Sequence, residues 1–207
     1  MTSKKKLCQN WRLYVITGAE GAARRPLTET VRLAIEGGAD AVQLRDKKAP
    51  DPELTRLARE LLKVTRPLGV PLIINDRVSV AKDSGADGVH LGQDDGTLAD
   101  ARRLLGADAI IGRSTHNPEQ ALAAQKEGFD YIGVGPVFST PTKPAYAPVG
   151  LELVRFAAKN ISIPFVAIGG IDPTNAAKVR EAGARALAVV RAVVAASDPK
   201  RAAELLA

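Results

Sequence analysis

The chain has 207 residues, 45% of them hydrophobic, which suits one domain with a sizeable buried core. No apolar run approaches the ~18 residues that a membrane-spanning helix needs, and one cysteine, Cys8, excludes an intrachain disulfide and a cysteine zinc site. The formal net charge of +6 suits an anionic partner, but only 4% of the residues are aromatic and no basic run interleaves with them, so the expected anions are phosphorylated small molecules, with no nucleic acid and no membrane as partner.

The opening stretch, residues 1–10, is basic and has neither an apolar stretch nor a small-residue cleavage site behind it. It reads as a flexible arm rather than a signal peptide, and the lone cysteine suits a reducing, cytoplasmic setting. From residue 11 onward, short apolar runs alternate with helical segments. The runs are "LYVIT" (13–17), "DAVQL" (40–44), "VPLIIND" (70–76), "GVHL" (88–91), "AIIGRS" (109–114), "YIGV" (131–134), "IPFVAIGG" (163–170) and "ALAV" (186–189). Nearly continuous apolar runs of this length predict strands buried on both faces. Helices are predicted over 28–37, 52–64, 78–85, 98–106, 118–128, 151–160, 174–183 and 199–207.

A pattern recurs in "EGGADAVQL", "DSGADGVHL", "KEGFDYIGV" and "REAGARALAV". Each places a glycine, Gly38, Gly85, Gly128 or Gly183, shortly before an apolar run, where a left-handed residue ends a helix. The spacing suits two strand–helix units per repeat. Strict alternation with eight strands predicts a single-domain α/β fold, a (β/α)8 TIM barrel over residues 11–207.

In such a barrel the chemistry lies on loops at the carboxyl ends of the strands, and the polar residues fall there. After strand two stand Gln43, Arg45, Asp46 and Lys47; after strand three, Asn75, Asp76 and Arg77. His90, Asp94 and Asp95 follow strand four, and Arg113, Ser114 and His116 follow strand five. Strand six ends in Ser139, Thr140, Pro141, Thr142 and Lys143. Arg45, Lys47 and Lys143, with Arg77 and Arg113 as further candidates, favour an anion with several phosphate oxygens. Asp76 and Asp95 suit Mg²⁺, which takes one or two carboxylates plus substrate phosphates. Asp94 reads as the cap of the next helix and His90 as a satisfied barrel histidine. The loops holding Gly169, Gly170 and "VVRA" suggest a second phosphate site.

The motifs "QLRDK" (43–47), "ND" (75–76), "GVHLGQDD" (88–95), "GRSTH" (112–116), "GVGPVFSTPTK" (133–143) and "AIGGI" (167–171) stand in one order. Together they make the chain resemble the thiamine phosphate synthase family over about residues 14–192. That resemblance implies condensation of 4-amino-2-methyl-5-(diphosphooxymethyl)pyrimidine with 4-methyl-5-(2-phosphooxyethyl)thiazole, giving thiamine phosphate and pyrophosphate. It implies that Gln43, Arg45, Lys47, Asn75, Ser114 and Lys143 hold the pyrimidine diphosphate, with Ser114, Lys143, Arg45 and Lys47 serving catalysis. Thr140, Pro141, Thr142, Gly170, Val190 and Arg191 would hold the thiazole phosphate, and Asp76 and Asp95 the Mg²⁺ cofactor. Loss of pyrophosphate would precede attack by the thiazole nitrogen. Arg191 stands where the family pattern leads one to expect a small residue such as Ser. The alternatives are a thiazole tautomerase-like paralogue and a non-catalytic regulator that binds thiamine phosphates. The sequence does not fix the oligomeric state.

Overall fold

The computed structural model describes residues 7–18, 25–140 and 147–207. Eight strands, β1 (Leu13–Ile16), β2 (Ala41–Leu44), β3 (Leu72–Asn75), β4 (Gly88–Leu91), β5 (Ile110–Thr115), β6 (Tyr131–Val134), β7 (Phe165–Ile168) and β8 (Ala186–Val189), form a closed barrel in sequence order. Every pair is parallel, and β1 closes on β8 with Tyr14 opposite Ala188. Around them run α1 (Leu27–Glu36), α2 (Asp51–Thr65), α3 (Val78–Ser84), α4 (Leu98–Leu105), α5 (Pro118–Glu127), α6 (Gly150–Asn160), α7 (Ala176–Glu181), α8 (Arg191–Val194) and α9 (Pro199–Glu204). Helix α8 was not predicted: four residues are too few to show a helical period.

The strands alternate between two cores. Leu13, Val15, Val42, Leu72, Ile74, Val89, Ile111 and Ile132 face outward and join the helices in one apolar cluster. Tyr14, Ile16, Ala41, Ile73, Ile110, Tyr131, Val166, Ala186 and Ala188 face inward and fill the bore. Of the arm expected over 1–10, residues 1–6 lie outside the described residues. Cys8–Asn10 form a 3-10 turn, and Cys8 and Trp11 are buried beneath the bore. The Trp11 ring meets Tyr131 edge-on at 5.0 Å and Tyr14 at 5.2 Å.

The repeated glycines all adopt positive φ, from 75° at Gly85 to 105° at Gly183, which an L residue adopts only with strain. The aspartate two residues beyond three of them has a role the sequence reading missed. Asp40, Asp87 and Asp130 each donate their amide to a carbonyl of the neighbouring strand and return a carboxylate to the amide of that same residue. The partners are Leu13, Leu72 and Ile111, with carboxylate bonds of 3.0, 3.0 and 2.7 Å. These pairs lock the even strands to the odd strands before them. The fourth repeat carries Arg185 at this place, and its carbonyl accepts from Arg180.

Helix entry also differs from expectation. Thr97, not Asp94, caps α4 by accepting from the Asp100 amide at 3.1 Å, because the turn through Gly96 carries Asp94 too far from the first helical amides. Asp87→Ala removes a buried charged acceptor and is expected to lower unfolding stability by about 1–3 kcal/mol, measured by urea denaturation. An unchanged midpoint would show that the strand amide finds another partner.

Candidate functional site

At the carboxyl ends of the strands lies a cavity of about 350 Å³. Of the residues singled out from sequence, Gln43, Arg45, Asn75, Ser114, Thr140, Gly170, Val190 and Arg191 line it. Pro141, Thr142 and Lys143 lie outside the described residues. Lys47, Asp76 and Asp95 are not in its lining; they meet one another beside it, with Lys47 Nζ 3.3 Å from an Asp76 oxygen.

The loop after β2 is held from both ends. The Thr17 hydroxyl accepts from the Arg45 amide at 3.0 Å. Asp46 folds a tight turn by accepting from Lys48 and Ala49 amides at 2.8 and 3.1 Å. Arg77 reaches back from β3, donating to the carbonyls of Ala49 and Lys47 and pairing with Asp51. Arg113 likewise donates to the carbonyls of Gly96 and Gln93 while its guanidinium lies 5.4 Å from the Phe129 ring centre. The sequence reading allowed both as ligand cations, but neither lines the cavity: both guanidinium groups donate to loop carbonyls, while Arg45 lines the cavity and Lys47 stands beside it against Asp76.

Asp76 sits at φ 61°, a left-handed value that Asp tolerates better than most residues. That turn brings its carboxyl against Asp95, and burial together with Asp95 pushes the Asp76 carboxyl above the usual carboxylate range, while Lys47 partly offsets the rise. Asp95 is itself held by the Gly92 amide at 2.8 Å, and a Cβ on Gly92 would fall 2.4 Å from that carboxylate oxygen. Two facing carboxylates beside a ligand cavity form a donor pair that a divalent cation relieves. Among the described residues no group of three His, Cys, Asp or Glu could hold a metal, so further donors would come from substrate or water.

On the opposite edge, Gly169 and Gly170 take φ of 110° and 62°. A Cβ on Gly170 would meet the Ser139 carbonyl oxygen at 2.7 Å, and one on Gly169 would meet Pro136 Cα at 2.5 Å. The loops after β6 and β7 therefore pack backbone to backbone beside Thr140, Val190 and Arg191. His116 also lines the cavity with Nδ1 2.5 Å from the Gly135 carbonyl oxygen. The sequence reading assigned neither it nor Tyr14 to the site, although the strand period already points Tyr14 inward beneath Ile16.

The floor holds a further pairing. His90 is buried, with Nε2 2.9 Å from Ser114 Oγ and Nδ1 2.9 Å from the Tyr131 hydroxyl. A hydroxyl against an imidazole resembles a nucleophile–base pair, but the second nitrogen meets a phenol rather than a carboxylate. The arrangement orients Ser114.

The site's pH behaviour follows from Asp76. Its raised value means that the folded protein binds a proton more readily there than the unfolded chain, so stability falls as pH rises through that value. Asp76→Asn is expected to raise the thermal midpoint of the metal-free protein at pH 7 and to flatten its dependence on acid pH. A lower midpoint would mean that the Lys47 pair outweighs the repulsion.

Comparison with known proteins gives concordant matches. Residues 13–193 match the family model described as thiamine monophosphate synthase. Thiamine-phosphate synthase of Chloroflexus aurantiacus is 52% identical over 198 residues, covering 95% of this chain and 91% of the relative. That of Natronomonas pharaonis is 47% identical, covering 97% and 95%. The solved thiamine phosphate pyrophosphorylase from Pyrococcus furiosus superposes with a TM-score of 0.87 at 40% identity, covering 97% of this chain and 95% of that one. Similarity to 3-hexulose-6-phosphate synthase, at 17% identity and a TM-score of 0.69, reflects the barrel fold alone.

Proposed function

The chain belongs to the thiamine monophosphate synthase family of transferases, and on that premise we propose that it joins 4-amino-2-methyl-5-(diphosphooxymethyl)pyrimidine to 4-methyl-5-(2-phosphooxyethyl)thiazole, forming thiamine phosphate and pyrophosphate. The observation that carries this reading is the convergence of Gln43, Arg45, Asn75 and Ser114 on one cavity whose flanks hold an acidic pair and a glycine-lined edge. An aminopyrimidine needs the first group, a diphosphate the cationic flank, and a second phosphate the backbone edge.

The residues present fit Mg²⁺. Asp76 and Asp95 would hold it, since their mutual repulsion is relieved by a hard dication. Bound there, it would neutralise charge on the diphosphate.

In the proposed reaction the bond between the pyrimidine methylene and the diphosphate oxygen breaks, with its electron pair leaving on pyrophosphate. The ring amino group stabilises the resulting cation, and the thiazole nitrogen lone pair then forms the new carbon–nitrogen bond. Arg45 and Lys47 meet the charge that grows on the leaving group. Gln43, Asn75 and Ser114 fix the ring plane, while Gly170, Val190 and Arg191 set the approach of the thiazole, an orienting role that needs no general base. Arg191 lines this edge where a small residue such as Ser was expected, and its guanidinium would add a cation there if turned inward to the phosphate.

The test is pyrophosphate release by the purified protein with both substrates and Mg²⁺, each omitted in turn. Release that matches thiamine phosphate formation and requires all three is expected, with roughly a 10²-fold or greater loss in Asp95→Asn at a melting midpoint no lower than that of the unsubstituted protein. Thiazole isomerisation without pyrophosphate, or binding of both substrates without turnover, would replace this reading with a tautomerase or a regulator.

A further inference from the structure

Five side chains from five strands form one unbroken hydrogen-bonded chain across the barrel floor. Gln43 Nε2 on β2 lies 2.9 Å from the Tyr14 hydroxyl on β1, which lies 3.0 Å from the Tyr131 hydroxyl on β6. Tyr131 meets His90 Nδ1 on β4 at 2.9 Å, and His90 Nε2 meets Ser114 Oγ on β5 at 2.9 Å. The ends, Gln43 and Ser114, both line the cavity, and β3 and β4 stand between their strands in the barrel.

The sequence makes room for this chain at specific positions. A Cβ on Gly112 would fall 2.2 Å from Tyr131 Cζ and 2.7 Å from His90 Nδ1, and one on Gly133 would stand 3.4 Å from His90 Cε1. Gly112 is a glycine because any side chain there would displace the phenol or the imidazole, whereas at Gly133 a Cβ would reach only ordinary contact with the imidazole. Tyr14 and Tyr131 are fully buried, and Gln43 is 2% exposed, so bulk water does not compete for the three links from Gln43 to His90, while the link to Ser114 is half-buried at the cavity wall. Burial drives both phenols well above their usual range, so each keeps its hydrogen.

Each hydroxyl donates once, so the direction of one bond dictates the next. With Gln43 Nε2 donating to Tyr14, the Tyr14 hydrogen goes to Tyr131 and the Tyr131 hydrogen to His90 Nδ1. A neutral imidazole then carries its hydrogen on Nε2 and donates to Ser114 Oγ, which directs the serine hydrogen toward the cavity. Reversing the amide of Gln43 reverses every link, and Ser114 then spends its hydrogen on His90 and offers the cavity only an acceptor.

We propose that Tyr14, Tyr131 and His90 are positioning residues that tie the hydrogen-bonding character of Ser114 to the amide orientation of Gln43 on the other side of the cavity. The two walls are read jointly rather than independently. In the orientation with Gln43 Nε2 on Tyr14, a ligand ring must present an acceptor at Ser114 and a donor at Gln43 together, the pattern of an adjacent ring nitrogen and amino group, and a ring with that order exchanged is matched only when every link of the chain reverses together. This deepens the function proposed above and rests on it for the identity of the ring.

Two measurements test it. In the substrate-free protein, ¹⁵N shifts of the His90 imidazole are expected to show the Nε2–H tautomer. Gln43→Glu, which places an acceptor against Tyr14, is expected to move that hydrogen to Nδ1, and to leave His90 unmoved when combined with Tyr131→Phe. An imidazolium, an Nδ1–H tautomer in the wild type, or a tautomer indifferent to Gln43→Glu would overturn the relay. The second measurement is calorimetric binding of the aminopyrimidine diphosphate to Gln43→Ala, Ser114→Ala and the double variant. The double loss is expected to fall short of the product of the single losses by at least fivefold, and to equal that product in the Tyr131→Phe background. Losses that multiply in both backgrounds, or non-additivity that survives Tyr131→Phe, would contradict the proposal. The tautomer result decides it even if the pyrimidine compound proves not to bind, an outcome that would count against the proposed reaction instead.

Discussion

The bore of a closed eight-stranded barrel has a fixed cross-section, and this limits every inward side chain. Trp11, Tyr14 and Tyr131 fill the lower bore, which obliges Ala41, Ala186, Ala188 and Gly112 to be small. Above that level Ile16, Val166 and Ile168 keep part of the wall apolar. The next inward places, Gln43, Asn75, His90 and Ser114, are left to form a polar floor under the cavity. Core packing and ligand cavity are thus one solution to one steric problem, and an added Cβ at Gly112 would disturb both.

The loops obey a second economy, in which polar groups at strand ends divide between holding the scaffold and facing the cavity. Arg77 and Arg113 hold loops, Asp46 folds one, and Asp40, Asp87 and Asp130 staple strands. Lys47 is thereby placed beside the acidic pair, and Arg45 at the cavity wall, on a backbone that neighbouring loops restrain. Such restraint favours a site whose geometry precedes its ligand, since less ordering entropy is lost on binding.

Much of the fold is legible in the sequence because its signals are local. Continuous apolar runs mark strands buried on both faces, and Gly38, Gly85, Gly128 and Gly183 mark helix ends through a conformation few other residues accept. The eight-strand count and closure follow from those runs. What escaped were pairings between residues distant in sequence. Asp40 meets Leu13 27 residues away, Asp87 meets Leu72 across 15, and Arg77 meets Ala49 across 28. No local period encodes whether an arginine at a strand end faces a carbonyl or a cavity. His90 was legible as a satisfied barrel histidine, but its partners on β5 and β6 emerge only once the barrel closes. The motif order carried the assignment of roles to Gln43, Asn75 and Ser114; their shared cavity is a fact of three dimensions.

The acidic pair joins fold to chemistry. Asp76 takes a left-handed turn to face Asp95, against electrostatic cost, beside the cavity. In the proposed account that cost is met when a dication and the diphosphate bind together. Crystals grown with Mn²⁺ and the pyrimidine diphosphate, without the thiazole, allow the claim to be read from anomalous scattering. The account predicts one Mn²⁺ peak bonded to carboxylate oxygens of both Asp76 and Asp95 and to diphosphate oxygens. A diphosphate bound in the cavity with no Mn²⁺ between it and the two aspartates would contradict it.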